Sequence, residues 1–423
     1  MMRKICRNRK TCELDDLIGS AQPKIASILV KALERREITI EECKSLFDCF
    51  SPAHARERAA IFGVANEIRQ KVNGDSVSFV VNRNINFTNI CYMGCKFCGF
   101  AKRREDPDAE WLSIDQVVGR ANEAHARGAS EICIQGGLHP KLPKQYYRDL
   151  VLALKNAIPS IHIHAFSPFE IWYGSKKTKM NFHEYLVDLK ECGLGSIPGT
   201  AAEIFDQEVR KQLTQDKLSS ETWIEIVRTA HQVGLQSSAT IMYGHVDSPA
   251  HWATHLSVLR EIQKETQGFT ELVPLSFVHD ESPLYRNDPL NVRPGPTAIE
   301  SELMHAVARI FLSGFIDNIQ VSWTKLGPKV ARRMLSIGCN DLGGTLMNES
   351  ISRAAGAKNG QEITPMEMCK IIRSSGRVPQ QRNTLYQLIN DYENMDPPEM
   401  PPLVARDDAD PLAFLEMFPE IQK

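Results

Sequence analysis

The 423-residue chain is 42% hydrophobic and 24% charged, an ordinary globular composition with length enough to bury a large core. Its 50 Lys and Arg stand against 52 Asp and Glu, which recommends neither nucleic acid nor a membrane surface as partner, and no uninterrupted apolar run approaches the roughly 18 residues of a bilayer span. Eleven cysteines, an odd number scattered along the chain, exclude a disulfide-dense secreted scaffold and point to a reducing, cytoplasmic setting.

The first twelve residues carry Arg3, Lys4, Arg7, Arg9 and Lys10 but lack the apolar core of a secretory signal, which leaves a basic organelle-targeting remnant as an alternative. Residues 17–73 read as helical, with Ile25, Ile28, Leu29 and Leu33 at helical spacing, so 1–75 is expected to be an N-terminal helical extension. After Gly74 the pattern changes to short β-branched runs at 76–81 and 84–90. Ser113 to Gln116 then fits a capping box that opens a helix stopped by Gly128, and a strand at 131–135 follows.

The same alternation recurs through strands at 161–166, 195–197, 236–242, 271–277, 318–323 and 340–342. Helices at 150–157, 182–192, 222–233, 252–266, 297–312 and 328–337 separate them. This predicts an α/β fold, a (β/α)8 TIM-type barrel over 76–376. Beyond Gly376 the repeat is lost; Pro397, Pro398, Pro401 and Pro402 beside Asp407, Asp408 and Asp410 predict a largely irregular tail over 377–423.

Chemistry in such a barrel sits at the carboxyl ends of the strands. The first strand leads into Cys91, Cys95 and Cys98, whose x3 and x2 spacing can grip three irons of a 4Fe-4S cluster and leave the fourth open, since full protein ligation takes four cysteines. Structural zinc would need a closing fourth ligand, and no other Cys or His lies within 25 residues of Cys98. The later strand ends carry Gly136, Gly137 and His139; Glu170; Glu203; His245; His279; Trp323-Thr324-Lys325; and Asp341.

The cysteine loop, with Phe97 before its last cysteine, resembles the radical S-adenosylmethionine (SAM) superfamily. The runs Gln135–Pro140, Gly193–Glu203, Ser238–His245 and Cys339–Thr345, taken together, resemble the 4-hydroxyphenyl (4-hydroxybenzyl) transferase half of the deazaflavin (FO) synthase system. The resemblance implies one 4Fe-4S cluster whose open iron chelates the amino and carboxylate groups of SAM. It implies L-tyrosine and 5-amino-6-(D-ribitylamino)uracil as substrates, a reductant protein, and a separate FO-synthase radical enzyme acting downstream, because only one such cysteine motif is present.

Within that frame Gly136 and Gly137 face the methionine amino group or simply form a tight turn. Glu203 accepts from a ribose hydroxyl or is a solvated helix-start carboxylate, and Phe97 packs on adenine or the cluster, or in the core. His139, Glu170, His245, His279 and Asp341 orient substrate and move protons, or are hydrogen-bonded wall residues. Two other functions stay open at this point: radical chemistry of the futalosine menaquinone pathway, and a catalytically idle metal-binding module.

Overall fold

The computed structural model describes residues 9–403, with side chains from residue 13 onward. The basic start of the chain and the acids at 407–410 lie outside the described residues.

The described residues form ten strands: β1 Ser76–Val80, β2 Asn82–Ile85, β3 Glu131–Ile134, β4 His162–Ala165, β5 Ser196–Ile197, β6 Gln236–Tyr243, β7 Phe269–Ser276, β8 Asp341–Gly344, β9 Val378–Arg382 and β10 Leu388–Asp391. β2 to β7 form a parallel sheet in chain order. Parallel bridges Leu272↔Ile319 and Gln320↔Asp341 carry the ring through a seventh stave to β8. The residues after β8 then return to the start: Leu346 O accepts from Asn84 N at 2.8 Å and Thr345 N donates to Val80 O at 3.1 Å. The result is an α/β barrel of the TIM type. Successive staves are joined by helices, as parallel strands require.

Local signals explain the outer helices. Ser113 and Gln116 form the expected reciprocal cap, and Val117, Ala121 and Ala124 of that helix are buried against the sheet. A helix at Pro168–Thr178 was not expected, although Ser167, Pro168 and Glu170 supply a capping box with proline in the first turn. The four N-terminal helices, from Arg9–Ser20 to Ala55–Asn73, pack on the outside of the barrel through Leu29, Leu46, Phe47, Ile61 and Val64, with Phe47 edge-on to Trp252 at 5.3 Å. Among the described residues no helix is long and apolar enough to cross a membrane.

Two further regions depart from the expected pattern. The run at 318–323 makes only the two bridges before turning into a short helix, Trp323–Leu326, because the Trp323 indole N–H donates inward to Gly344 O at 2.9 Å. The larger departure is the segment expected to be irregular after 376. β9 runs parallel beside β1, with Phe79 opposite Gln381, and β10 folds back on it. Its polar residues find partners from distant parts of the chain, so it needs no apolar alternation: Arg382 Nε and Nη2 donate to Asp341 at 2.6 and 3.0 Å, and Thr384 Oγ1 donates to Glu131 at 2.7 Å.

Breaking a buried pair by removing one partner strands the other charge, at about 3–5 kcal/mol. Arg382→Met is therefore expected to lower the unfolding free energy by that order, read as a lower denaturant midpoint at unchanged slope, and adding Asp341→Asn should recover part of the loss. An unchanged midpoint in the single variant would contradict the structural role given to β9.

Candidate active site

A cavity of about 420 Å³ occupies the barrel interior and opens at the carboxyl ends of the strands. Cys91, Cys95 and Cys98 all line it. Their loop is tied to the barrel by backbone bonds from Cys91 N to Lys102 O at 3.0 Å, Tyr92 N to Leu138 O at 3.2 Å and Lys96 N to Leu213 O at 2.9 Å.

Three thiols in one loop on this wall are a donor set that fits three irons of a 4Fe-4S cluster. Burial pushes the Cys98 thiol up to about 11 and also raises Cys91, while backbone amides of Phe100 and Ala101 at Cys98, and of Met93 and Leu138 at Cys91, work the other way by favouring the anion. Thr214 Oγ1 donates to Cys95 Sγ at 3.6 Å. Hydrogen bonds of this kind to cysteine sulfur tune iron–sulfur centres. Among the described residues no three His, Cys, Asp or Glu side chains converge as they would around a single ion. Ligands to three separate irons of a cubane need no such convergence.

The loop after β3 lies against the cysteines so closely that only glycine fits. A Cβ on Gly137 would stand 2.3 Å from Ile90 O and 3.1 Å from Cys91 Cβ, and one on Gly136 would meet the Phe87 ring at 2.5 Å. Gly137 N donates to Thr88 O at 2.8 Å, and Gly136 N donates to Glu170 Oε1 at 3.0 Å.

Across the mouth, Lys217 Nζ pairs with Glu203 at 2.5 Å and lies 4.9 Å over the Phe97 ring. Burial disfavours the ammonium, but Glu203 and the Cys95 thiol outweigh it, and the Lys217 pKa is raised. The Glu203 loop carries left-handed backbone at two non-glycine residues, Ala201 at φ +67° and Glu203 at +47°. Arg210 holds it there by donating to the carbonyls of Ala201, Ala202 and Ile204. Strain of this sort persists only where the surroundings enforce it.

The inner end of the cavity is polar. Glu131 accepts from Asn82 Nδ2 and Thr384 Oγ1, both at 2.7 Å. Glu271 accepts from the Tyr386 hydroxyl at 2.5 Å and from Arg382 at 3.4 Å, yet burial still pushes its carboxyl up to about 7. Lys217, Glu131, Glu271 and Arg382 were not expected from the sequence: Lys217 lies in a loop and Arg382 in the segment read as irregular, and Glu131 and Glu271 stand near the amino ends of β3 and β7, away from the carboxyl ends where chemistry was sought.

Gly136, Gly137, Phe97 and Glu203 line the cavity; of the five residues expected to act on substrate, only Glu170 does. Its carboxyl accepts from Ser167 N at 2.8 Å, Ser167 Oγ at 2.7 Å and Gly136 N, and burial raises its pKa to about 7. It is therefore a positioning group for the diglycine turn. His139 Nδ1 accepts from Lys141 N at 3.0 Å with its ring 4.5 Å from Trp111, outside the cavity. His245 is wholly buried: Nδ1 accepts from Val246 N at 2.8 Å, Nε2 donates to Met242 O at 3.1 Å, and burial lowers its pKa. Asp341 is spent on Arg382, Ser78 and Gly343 N, and His279 stacks edge-on to Tyr285 at 4.6 Å beside the rim.

Residues 85–259 match the Radical SAM superfamily and 266–395 match the CofH/MqnC C-terminal region. The chain is 55% identical over 330 residues to an FO synthase of Mycobacterium tuberculosis, covering 78% of this chain and 38% of that protein. It thus spans about two fifths of the length of such relatives. It is 48% identical over 332 residues to a 5-amino-6-(D-ribitylamino)uracil--L-tyrosine 4-hydroxyphenyl transferase of Methanopyrus kandleri, covering 78% of this chain and 89% of that enzyme. The crystal structure of methylornithine synthase (PylB) has the same fold, with a TM-score of 0.66 at 16% identity, covering 83% of this chain and 97% of that one. A cysteine-walled barrel mouth and near-complete coverage of a transferase at this identity lead to one conclusion: the chain belongs to the radical SAM superfamily, in the family of the FO synthases and tyrosine 4-hydroxyphenyl transferases.

Proposed function

We propose that the chain transfers the 4-hydroxybenzyl group of L-tyrosine to C5 of 5-amino-6-(D-ribitylamino)uracil, leaving 2-iminoacetate. The observation that carries this reading is the 48% identity to the transferase over 89% of its length. The cavity supports it, with a thiol wall at the mouth and a polar inner end that suits a polyol-bearing uracil.

Cys91, Cys95 and Cys98 are the ligands of a 4Fe-4S cluster, with the fourth iron left for the amino and carboxylate groups of SAM. When bound, cluster and SAM supply a 5'-deoxyadenosyl radical. The protein's own work is placement. Gly136 and Gly137 bring backbone to the cofactor without side-chain obstruction, and Glu170 fixes that turn. The Glu203–Lys217 pair and Phe97 form the nucleotide side of the mouth. The enclosing barrel keeps water and competing hydrogen donors from the reacting atoms. A reductant protein, a second radical site for ring closure outside these 423 residues, and a cytoplasmic setting follow from the same reading.

With dithionite, SAM, tyrosine and the diaminouracil under anaerobic conditions, 5'-deoxyadenosine formation is expected to depend on tyrosine; formation that ignores tyrosine would overturn the substrate assignment. Cys95→Ala should abolish both the cluster's visible absorption and turnover, and retained activity would remove Cys95 from the ligand set. Gly137→Ala forces its new methyl against Ile90 O, an overpacking that costs about 1–3 kcal/mol. Lower iron content after reconstitution and a lower unfolding midpoint are the expected results, and a variant equal to wild type in both would show that the close approach is dispensable.

A further inference from the structure

Three cationic side chains line the cavity: Lys217, Lys325 and Arg382. Two are neutralised by the protein, Lys217 by Glu203 at 2.5 Å and Arg382 by Asp341 at 2.6 Å. Lys325 is different. It follows the seventh stave in the short helix Trp323–Leu326, and its Nζ donates to the Ser352 hydroxyl at 3.2 Å but forms no ion pair with a carboxylate among the described residues.

Glu349 also lines the cavity, but its two oxygens accept from Ser352 N at 2.9 and 3.0 Å and it makes no ion pair with Lys325. Burial holds the Lys325 pKa below the usual lysine range, with Glu349 and Glu203 only partly opposing it. A desolvated ammonium without an anion is costly, and an anionic ligand relieves that cost. The same cavity also presents a buried acceptor with no hydrogen-bond donor among the described residues, Asn84 Oδ1. A cation that makes no ion pair and an acceptor that lacks a donor, in one cavity, complement a zwitterion.

We propose that Lys325 is the specificity residue that receives the α-carboxylate of the amino-acid substrate, an inference that rests on the function proposed above. Of the reactants in that reading, the ribitylaminouracil has no carboxylate, and the carboxylate of SAM is taken up at the open iron. Tyrosine's carboxylate is the one that remains. Lys217 lies 4.9 Å over the Phe97 ring of the cysteine loop and is paired with Glu203, which places it with the cofactor and leaves Lys325 for the substrate. A clamp at this end of tyrosine would also retain 2-iminoacetate while the 4-hydroxybenzyl group moves to the uracil.

The test compares L-tyrosine with tyramine, which keeps the phenol and amine and lacks the carboxylate. Binding of each to the reconstituted holoenzyme with SAM and an oxidised cluster is measured by calorimetry. A charge-assisted contact of this type corresponds to about 10- to 100-fold in affinity. Lys325→Gln is expected to weaken tyrosine by that factor, leave tyramine and SAM binding unchanged, and be largely rescued by Lys325→Arg. Iron content and thermal midpoint identify a variant that merely misfolds, in which case Lys325→Met serves for the same comparison. Equal loss of tyrosine and tyramine, or loss of SAM instead, would overturn the clamp. Wild type that binds tyrosine and a variant that binds it as well would overturn the clamp alone; wild type that ignores tyrosine would overturn the substrate reading together with it.

Discussion

The approach of the diglycine turn to the cysteine loop is the constraint on which the site depends. Gly137 lies where any side chain would collide with Ile90 O and Cys91, so the second stave can press its backbone directly against the loop that carries the thiols. Glu170 completes the arrangement from the third stave by accepting from Gly136 N and capping its own helix with Ser167. Three staves thereby share one rigid contact, and the cysteine loop, which has no helix or strand of its own, borrows its order from them.

Charge inside the barrel is handled by the same economy of partners. The inner end is a closed network in which Asn82, Thr384, Tyr386 and Arg382 satisfy Glu131, Glu271 and Asp341. The C-terminal hairpin supplies Arg382, Thr384 and Tyr386, so it is part of the cavity wall and not an appendage. Against that background Lys325, which makes no ion pair among the described residues, is informative, because Lys217 and Arg382 in the same cavity each have one.

How much of this was legible in the sequence follows from how local each signal is. Cys91, Cys95 and Cys98 lie within eight residues of each other, and caps such as Ser113 with Gln116 act over one turn, so both could be read directly. β9 could not, because its stability comes from pairing with β1 and from Arg382 reaching Asp341, 41 residues earlier in the chain. His139 and His245 follow the carboxyl ends of β3 and β6 as expected, but strand position does not say which way a side chain turns, and Asp341 opens β8 rather than ending it. His139 and His245 turn to backbone partners outside the cavity, and Asp341 lies behind Arg382, which takes its place in the cavity wall. Lys217 had no local pattern to announce it, as a single lysine in a loop gains meaning only from Glu203 and Phe97 beside it.

The central claim is that three thiols of this chain hold a cluster with one iron left for SAM. Mössbauer spectroscopy of the protein reconstituted anaerobically with iron-57 tests it most directly. The account predicts that one iron in four changes its isomer shift and quadrupole splitting when SAM is added, while the other three do not. A spectrum indifferent to SAM, with all four irons alike, would contradict it.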